Sequence, residues 1–382
     1  MYLIYENDNL GRTIFEIIFK NTGSIYSKDG VAYFLSHILN TKGTKKHKEK
    51  FFSLLENKAI TLNTSATKEF STISIISLNE KISTAKNYLI ELLKNPNFTK
   101  EAFEKSKKEI IAKKKNLENN YDYIASKNLF KISFKNTPLE KPIIGEEIEK
   151  INFEDITNHF KYYSKLASVF INGGKKLDIS EFIEILPDTP LKKDLFFYPK
   201  KDYIEEKKDV EQSYIYFLAP FNVEKNELYL AKIATFIFGS GGFGSRMMEE
   251  IRVKRGYAYS AYATNEFKKS YKILRGYLQT KLQNTEDAKK LIIDMINEFS
   301  QKGVTKEELE SAKKFLIGSE PLRNETLHQR LLRKFNEYYF NLGDGYYKKE
   351  LELIKNTSLE ELNEFIKKHK EITNLSFSIV TK

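Results

Sequence analysis

An internal repeat is the feature of this sequence that most constrains its fold. Residues 98–104 (Phe-Thr-Lys-Glu-Ala-Phe-Glu) resemble residues 304–310 (Val-Thr-Lys-Glu-Glu-Leu-Glu), and residues 148–156 resemble residues 354–362. The spacing is 206 residues in both cases (304 − 98 and 354 − 148), and each match keeps the apolar positions of a helix. A chain of 382 residues is long enough for two ordinary domains. The sequence therefore predicts two copies of one structural unit.

The two copies share one predicted order of elements: a strand, a helix, further strands, several long helices and a closing strand. The predicted strands are 13–20, 70–78 and 167–171 in the first copy and 214–219, 271–278 and 375–380 in the second, and the first helices are 31–39 and 228–238. Strands grouped with strands and helices with helices favour an α+β fold. Each half is then a mainly antiparallel sheet packed against helices.

The repeat also sets the predicted domain boundaries. We assign residues 1–172 to an N-terminal half and residues 213–382 to a C-terminal half. The segment between them, 173–212, contains three of the eight prolines and many charged residues. That composition predicts a linker between the two halves.

Composition excludes several classes of protein. Because the chain has no cysteine, it forms no disulfide, thiolate nucleophile or cysteine-bound metal site. The net charge of +11 comes from lysines interleaved with glutamates, as in residues 104–109, which is typical of solvated helix faces and not of a nucleic-acid-binding motif. No apolar stretch approaches the roughly 20 residues of a membrane span. With no visible signal peptide, we expect a cytoplasmic protein, or a periplasmic one if a leader has been removed.

Residues 30–37, on the first predicted helix, read Gly-Val-Ala-Tyr-Phe-Leu-Ser-His. This stretch resembles the inverted zinc-binding motif Gly-x-Ala-His-Phe-x-Glu-His of the insulinase-like (pitrilysin) zinc metallopeptidases, a family that includes the mitochondrial processing peptidases. In that motif two histidines four residues apart bind zinc from one face of a helix, and the glutamate takes a proton from the metal-bound water. In the family, a further glutamate about 75 residues after this motif is the third protein ligand of the zinc ion.

Carried over position by position, the resemblance implies that this zinc chemistry has been lost. The first histidine corresponds to Tyr33, the glutamate base to Ser36, and the second histidine to His37. The distant glutamate falls in the run 113–115, and we assign it to Lys114. One ligand of three, without a base, cannot form a hydrolytic zinc site. We therefore expect neither a metal ligand set nor a catalytic residue in this chain.

Residues 239–260 contain a glycine-rich loop, then Ser-Arg, a predicted helix and Arg-Gly-Tyr-Ala-Tyr-Ser. The stretch is similar to the family's C-terminal signature, in which an arginine and a tyrosine seven residues apart hold the substrate backbone. Arg252 and Tyr259 match that pair in type and spacing, so the resemblance implies that they bind substrate. From the residues alone, Gly256 suits the left-handed end of a helix, and Tyr257 should share one face of the next strand with Tyr259.

A purely structural interpretation of the same two residues remains open at this point. Arg252 would stabilise the negative end of its helix, and Tyr259 would pack in the core.

The resemblance covers nearly the whole chain and implies a clamshell of two homologous halves, as in the mitochondrial processing peptidases. In such a chamber a peptide adds as a strand to a sheet edge. Family members of this length can work in pairs, in which one chain carries zinc and the other supplies the arginine–tyrosine pair. We therefore expect a non-catalytic, substrate-gripping subunit that acts in peptide hydrolysis, with zinc on its partner.

The expected partner is a zinc-bearing relative in a heterodimer, or a second copy of this chain in a homodimer. Three alternatives belong to other classes: a structural scaffold, a peptide-binding or chaperone-like protein without peptidase activity, and an active peptidase with an unusual metal site.

Overall fold

A computed structural model describes residues 1–382 and divides them into two compact units. The first unit comprises residues 1–116, 141–194 and 324–339, and the second comprises residues 117–140, 195–323 and 340–382. Each unit is therefore assembled from separate segments of the chain. No helix is both long enough and apolar enough to cross a membrane.

The first unit is built on a five-stranded sheet. Its strands are β1 (Tyr2–Glu6), β2 (Arg12–Lys20), β3 (Thr61–Ala66), β4 (Phe70–Leu78) and β5 (Ser168–Gly173). They lie in the order β1-β5-β2-β4-β3, in which only β1 and β5 run parallel.

The second unit repeats this sheet with the same topology. Its strands are β6 (Tyr203–Lys207), β7 (Gln212–Pro220), β8 (Ala258–Phe267), β9 (Lys272–Lys281) and β10 (Ser376–Thr381). They lie in the order β6-β10-β7-β9-β8, and again only the outer pair, β6 and β10, is parallel. The predicted repeat and the predicted α+β class, with mainly antiparallel sheets, are both confirmed.

Thirteen α-helices surround the two sheets. They are α1 (Val31–Thr41), α2 (Lys50–Glu56), α3 (Ile82–Lys94), α4 (Lys100–Leu117), α5 (Tyr121–Ser133), α6 (Phe153–Phe160), α7 (Ser180–Ile185), α8 (Leu228–Thr235), α9 (Thr285–Lys302), α10 (Lys306–Gly318), α11 (Leu327–Tyr339), α12 (Tyr346–Asn356) and α13 (Leu359–Lys368). The repeated segments begin α4 and α10, and Thr305 forms a capping box with Glu308 at the start of α10.

One helix of each sequence half belongs to the other half's sheet. Helix α5 comes from the first half but lies in the second unit, where the Asp122 carboxylate accepts hydrogen bonds from Tyr216 Oη at 2.9 Å and Gln279 Nε2 at 3.0 Å. Helix α11 comes from the second half but lies in the first unit, where its Arg330 pairs with Glu6 and Asp8. The predicted halves, 1–172 and 213–382, therefore differ from the compact units.

The segment predicted as a linker, 173–212, contributes to both units. Its helix α7 buries Phe182 against Phe15 of the first sheet, with ring centroids 5.0 Å apart. Its strand β6 forms an edge of the second sheet. The prolines and charged residues of this segment are compatible with helix α7 and strand β6. Composition alone therefore does not distinguish a linker from a segment with these short elements.

Glu16 is an acidic residue in the middle of the first sheet. It lies in β2, opposite Ser74 of β4 and Ile171 of β5. Burial disfavours its charged form and raises its pKa to about 7, from an ordinary value near 4.5. Folding therefore depends on pH through this residue.

We predict that Glu16→Gln stabilises the protein at pH 8 and has little effect at pH 4. Unfolded chains ionise Glu16 above its ordinary pKa, whereas the folded chain keeps the proton until about pH 7, so wild-type stability falls between these two pH values. The full difference is about 3 kcal/mol in the free energy of unfolding. Thermal unfolding from pH 4 to pH 8 measures it.

Glu104→Gln is the matched control, because Glu104 is exposed on helix α4. This variant should follow the wild-type pH dependence. A stability gain from Glu16→Gln that is equal at pH 4 and pH 8 would show that burial does not shift this carboxyl group.

Candidate functional site

The residues that replace the zinc motif lie on helix α1 and face helix α4. Tyr33 and His37 are one turn apart, with stacked rings 6.5 Å between centroids. His37 Nε2 lies 2.9 Å from the Glu109 carboxylate of α4, and Lys42 Nζ, which is buried, lies 2.7 Å from the same carboxylate. Ser36 is buried. The Glu109 carboxylate thus binds both His37 and Lys42.

The pKa values of this cluster favour an ion pair beside a neutral histidine. Burial lowers the pKa of His37, although its bond to Glu109 acts in the opposite direction. Burial also opposes ionisation of Glu109, but the bonds from Lys42 and His37 outweigh it and lower the Glu109 pKa. Because a carboxylate only accepts hydrogen bonds, a neutral His37 must carry its proton on Nε2. While it makes this bond, that nitrogen is a donor and is not available to a metal ion.

A lysine other than the expected one lies next to the altered motif. Lys113 Nζ lies 5.4 Å from the centroid of the Tyr33 ring, a cation–π distance, whereas Lys114 Nζ donates a hydrogen bond to the Glu146 carbonyl. Sequence spacing pointed to Lys114. It could not distinguish neighbouring lysines, since helical phase decides which of them faces α1.

These side chains do not fit a zinc ion. Where a metal would need imidazole and carboxylate ligands, the structure has the Tyr33 ring below the Lys113 ammonium group, which would repel a dication. No group of three or more His, Asp or Glu side chains that could hold a metal ion occurs in the structure.

The second candidate site follows the glycine-rich loop of the second unit. Residues 248–253 form a π-helical segment, and the turn after it reaches Gly256, whose φ of +64° is the left-handed conformation expected from the sequence. The amide of Gly256 donates to the Arg252 carbonyl at 3.0 Å, and the amide of Tyr257 donates to the Ile251 carbonyl at 2.9 Å. These bonds turn the chain back towards the helix, so that Tyr259 meets Arg252.

Arg252 lies between two exposed aromatic rings. Its guanidinium carbon lies 4.4 Å from the centroid of the Tyr259 ring and 4.6 Å from that of Phe243. Tyr259 is 83% exposed and Phe243 is 67% exposed, so neither ring belongs to the core. The structure therefore brings together the two residues that the sequence singled out, and it excludes a core role for Tyr259.

Arg252 differs from the other cations of this segment in having no carboxylate partner. Lys254 and Arg255 both bind Glu250, and Arg246 binds Glu308 at 2.6 Å. The Arg252 guanidinium contacts the two rings, and the N–H groups along its edge have no hydrogen-bond or ion-pair partner in the chain. Such an edge can donate two parallel hydrogen bonds to a carboxylate or to peptide carbonyls.

The predicted alternation of residues after Gly256 is wrong, because strand β8 begins with an irregularity. The pairing of β8 with β9 shifts register between Ala258 and Ala261. As a result both alanines are buried, whereas the two residues between them, Tyr259 and Ser260, are exposed. A bulge of this kind re-aims side chains away from the sheet. Phe243 lies in the glycine-rich loop, and nothing in the residue pattern of that loop marks it as a neighbour of Arg252.

Two family profiles match the chain in succession. The profile described as Insulinase (Peptidase family M16) matches residues 4–147, and that described as Peptidase M16 inactive domain matches residues 159–316. A protein of Helicobacter pylori described as the non-peptidase homolog YmxG is 39% identical, over 99% of this chain and 91% of its own length. The chain belongs to the insulinase (M16) peptidase family.

Two other similar proteins carry different descriptions. A Bacillus subtilis protein described as an uncharacterized zinc protease, also YmxG, is 22% identical over 94% of this chain and 88% of its own length. The M16 inactive domain structure from Pseudomonas fluorescens has a TM-score of 0.89 and 21% identity, covering 99% of this chain and 94% of the other. The non-peptidase description of the Helicobacter relative agrees with the altered zinc motif, and together they support a non-catalytic M16 member.

We predict that Tyr33→His combined with Lys113→Glu creates a metal site with His37, so that the variant retains about one zinc per chain after dialysis. Removing the Lys113 ammonium eliminates the repulsion and supplies a carboxylate next to the histidine pair. Elemental analysis of the dialysed protein measures the zinc content.

The matched control is Tyr33→His combined with Lys114→Glu, which has the same composition but should retain little zinc. Stoichiometric zinc in the wild-type chain, or in Tyr33→His alone, would contradict our account of the cluster.

Proposed function

We propose that this chain is the substrate-gripping, non-catalytic subunit of a zinc metallopeptidase assembly of the insulinase family. The observation that carries the proposal is Arg252, held between Phe243 and Tyr259 with its N–H edge free. The positions that would bind zinc and activate water are instead Tyr33 and Ser36. This combination keeps a means of binding a peptide backbone and lacks a means of cutting it.

The aromatic contacts would prepare Arg252 for binding. A free arginine side chain loses about 2 kcal/mol of rotamer entropy when it is fixed, and contacts with two rings fix part of it in advance. The exposed rings would also shield the guanidinium edge from water once a peptide covers them. Tyr259 adds a hydroxyl that can donate to or accept from the same peptide.

A partner must supply the zinc if the assembly hydrolyses peptides. We propose a zinc-bearing family relative as that partner in a heterodimer, and expect no cofactor on this chain. A homodimer of this chain would contain no hydrolytic centre, so it belongs with the alternative function of peptide binding or chaperone-like activity without hydrolysis. A scaffold role is the other alternative, but it gives no reason for an unpaired arginine between exposed rings.

We predict that Arg252→Ala, Arg252→Lys and Tyr259→Phe each lower the turnover of the reconstituted assembly by roughly ten- to a thousandfold, since each removes a positioned hydrogen-bond donor. An ammonium group cannot reproduce the two-pronged guanidinium, and Phe keeps the ring while deleting the hydroxyl. The measurement is steady-state peptide cleavage, together with the melting temperature and the size-exclusion profile of each variant.

Arg255→Ala is the matched control, because this neighbouring arginine binds Glu250 rather than the aromatic pair. Its turnover should stay near that of wild type. Full activity in all three Arg252 and Tyr259 variants would remove the gripping role and favour the scaffold alternative. Lost stability with unchanged turnover per folded complex would mean that the pair is only structural.

A further inference from the structure

A cavity of about 600 Å³ lies within the second unit, and neither Arg252 nor Tyr259 lines it. Its walls come from α8 and the turn that follows it, from α10 and α12, and from the edge strand β8. A volume of this size suits a small organic molecule. Nothing in the proposed peptide-gripping role uses this cavity.

The internal repeat relates this cavity to the altered zinc motif of the first unit. There, His37 of the first helix contacts Glu109 of α4. In the second copy Phe315 of α10 occupies the position 206 residues after Glu109, and it packs on Phe236 at the end of the first helix, with ring centroids 4.9 Å apart. A phenylalanine on α10 thus stands where α4 carries the Glu109 carboxylate, and both rings form part of the cavity wall.

The cavity wall is strongly cationic as well as aromatic. Five basic side chains line it, and only one carboxylate does, that of Glu350. Glu350 is buried and already paired with Lys232, so its charge is neutralised within the wall. Lys225, Lys268 and Arg323 make no ion pair within the chain. A ligand that enters the cavity therefore meets uncompensated positive charge.

Three of the basic residues gather near the turn between β8 and β9. Lys268 lies in that turn, and Lys272 begins β9. Lys272 Nζ donates to the Val223 carbonyl at 2.6 Å, and Lys225 follows Val223 by two residues. This end of the cavity is suited to an anionic group, while Phe236 and Phe315 offer an apolar surface.

We propose that this cavity binds a small amphiphilic carboxylate of the fatty-acid class, with its anionic head near Lys225 and Lys268 and its hydrocarbon body against the aromatic pair. An anion without an apolar body would leave the rings of Phe236 and Phe315 uncovered. An uncharged apolar molecule would leave the lysines without a counter-charge. The combination on the wall therefore selects a ligand with both parts.

Dodecanoate, used below its micellar concentration, is the probe, and isothermal titration with the full chain is the measurement. We expect binding of one dodecanoate per chain. Lys225→Glu combined with Lys268→Glu should weaken it at least about tenfold, since each substitution reverses a charge at the head site. Both lysines are exposed, so the double variant should fold. Phe315→Ala should weaken dodecanoate binding while leaving the binding of inorganic phosphate unchanged.

The control is Lys290→Glu combined with Lys367→Glu, which makes the same charge change on exposed helix positions outside the cavity. Equal weakening by both double variants would show a general charge effect and overturn the proposal. It would also be overturned if dodecanoate failed to bind, if phosphate bound as tightly as dodecanoate, or if a glutamate-rich peptide displaced dodecanoate at lower concentration. These results do not depend on the peptide-gripping role of Arg252.

Discussion

Both sheets of this protein must be packed against apolar side chains on two faces. The exchange of α5 and α11 between the two sequence halves helps to meet that requirement. Every residue of β5 and of β10 is buried, which requires helices on both sides of the sheet. In β5, Phe170 contacts Phe182 of α7. Gly173 is three residues after Phe170 and therefore lies on the opposite face of the sheet, against Leu327 and Leu331 of α11. A side chain at Gly173 would collide with those leucines.

The sequence predicted those parts of the fold that are local or repeated. Strands such as 70–78 and the helix at 31–39 are found within a few residues of their expected bounds, because their apolar periodicity reflects burial directly. The sequence does not predict the exchange of α5 and α11 between the two sheets. An amphipathic pattern indicates that a helix packs against another element, but it does not identify the sheet that the helix covers. The same limit applies to the linker segment, whose buried Phe182 gave no sign of its partner.

The candidate site shows the same division between local and non-local information. The proximity of Arg252 and Tyr259 follows from a helix end, a left-handed Gly256 and a returning strand, all of which are local signals. The contribution of Phe243 and the register shift before Ala261 depend on packing against other elements, so residue spacing could not reveal them. The altered zinc motif was plain in sequence, but only the structure shows that a salt bridge and a cation–π contact replace it.

The account rests on two claims: this chain lacks the zinc chemistry, and it retains a pre-organised arginine, Arg252. Peptide binding to the isolated chain tests both claims together most directly. The measurement is the fluorescence anisotropy of a labelled, unstructured peptide mixed with the purified chain, followed by mass spectrometry of the same peptide. Our account predicts that the peptide binds, that Arg252→Ala weakens its affinity by about tenfold, and that it stays intact with or without a chelator. Cleavage that a chelator abolishes, or binding that does not respond to Arg252→Ala, would contradict the account.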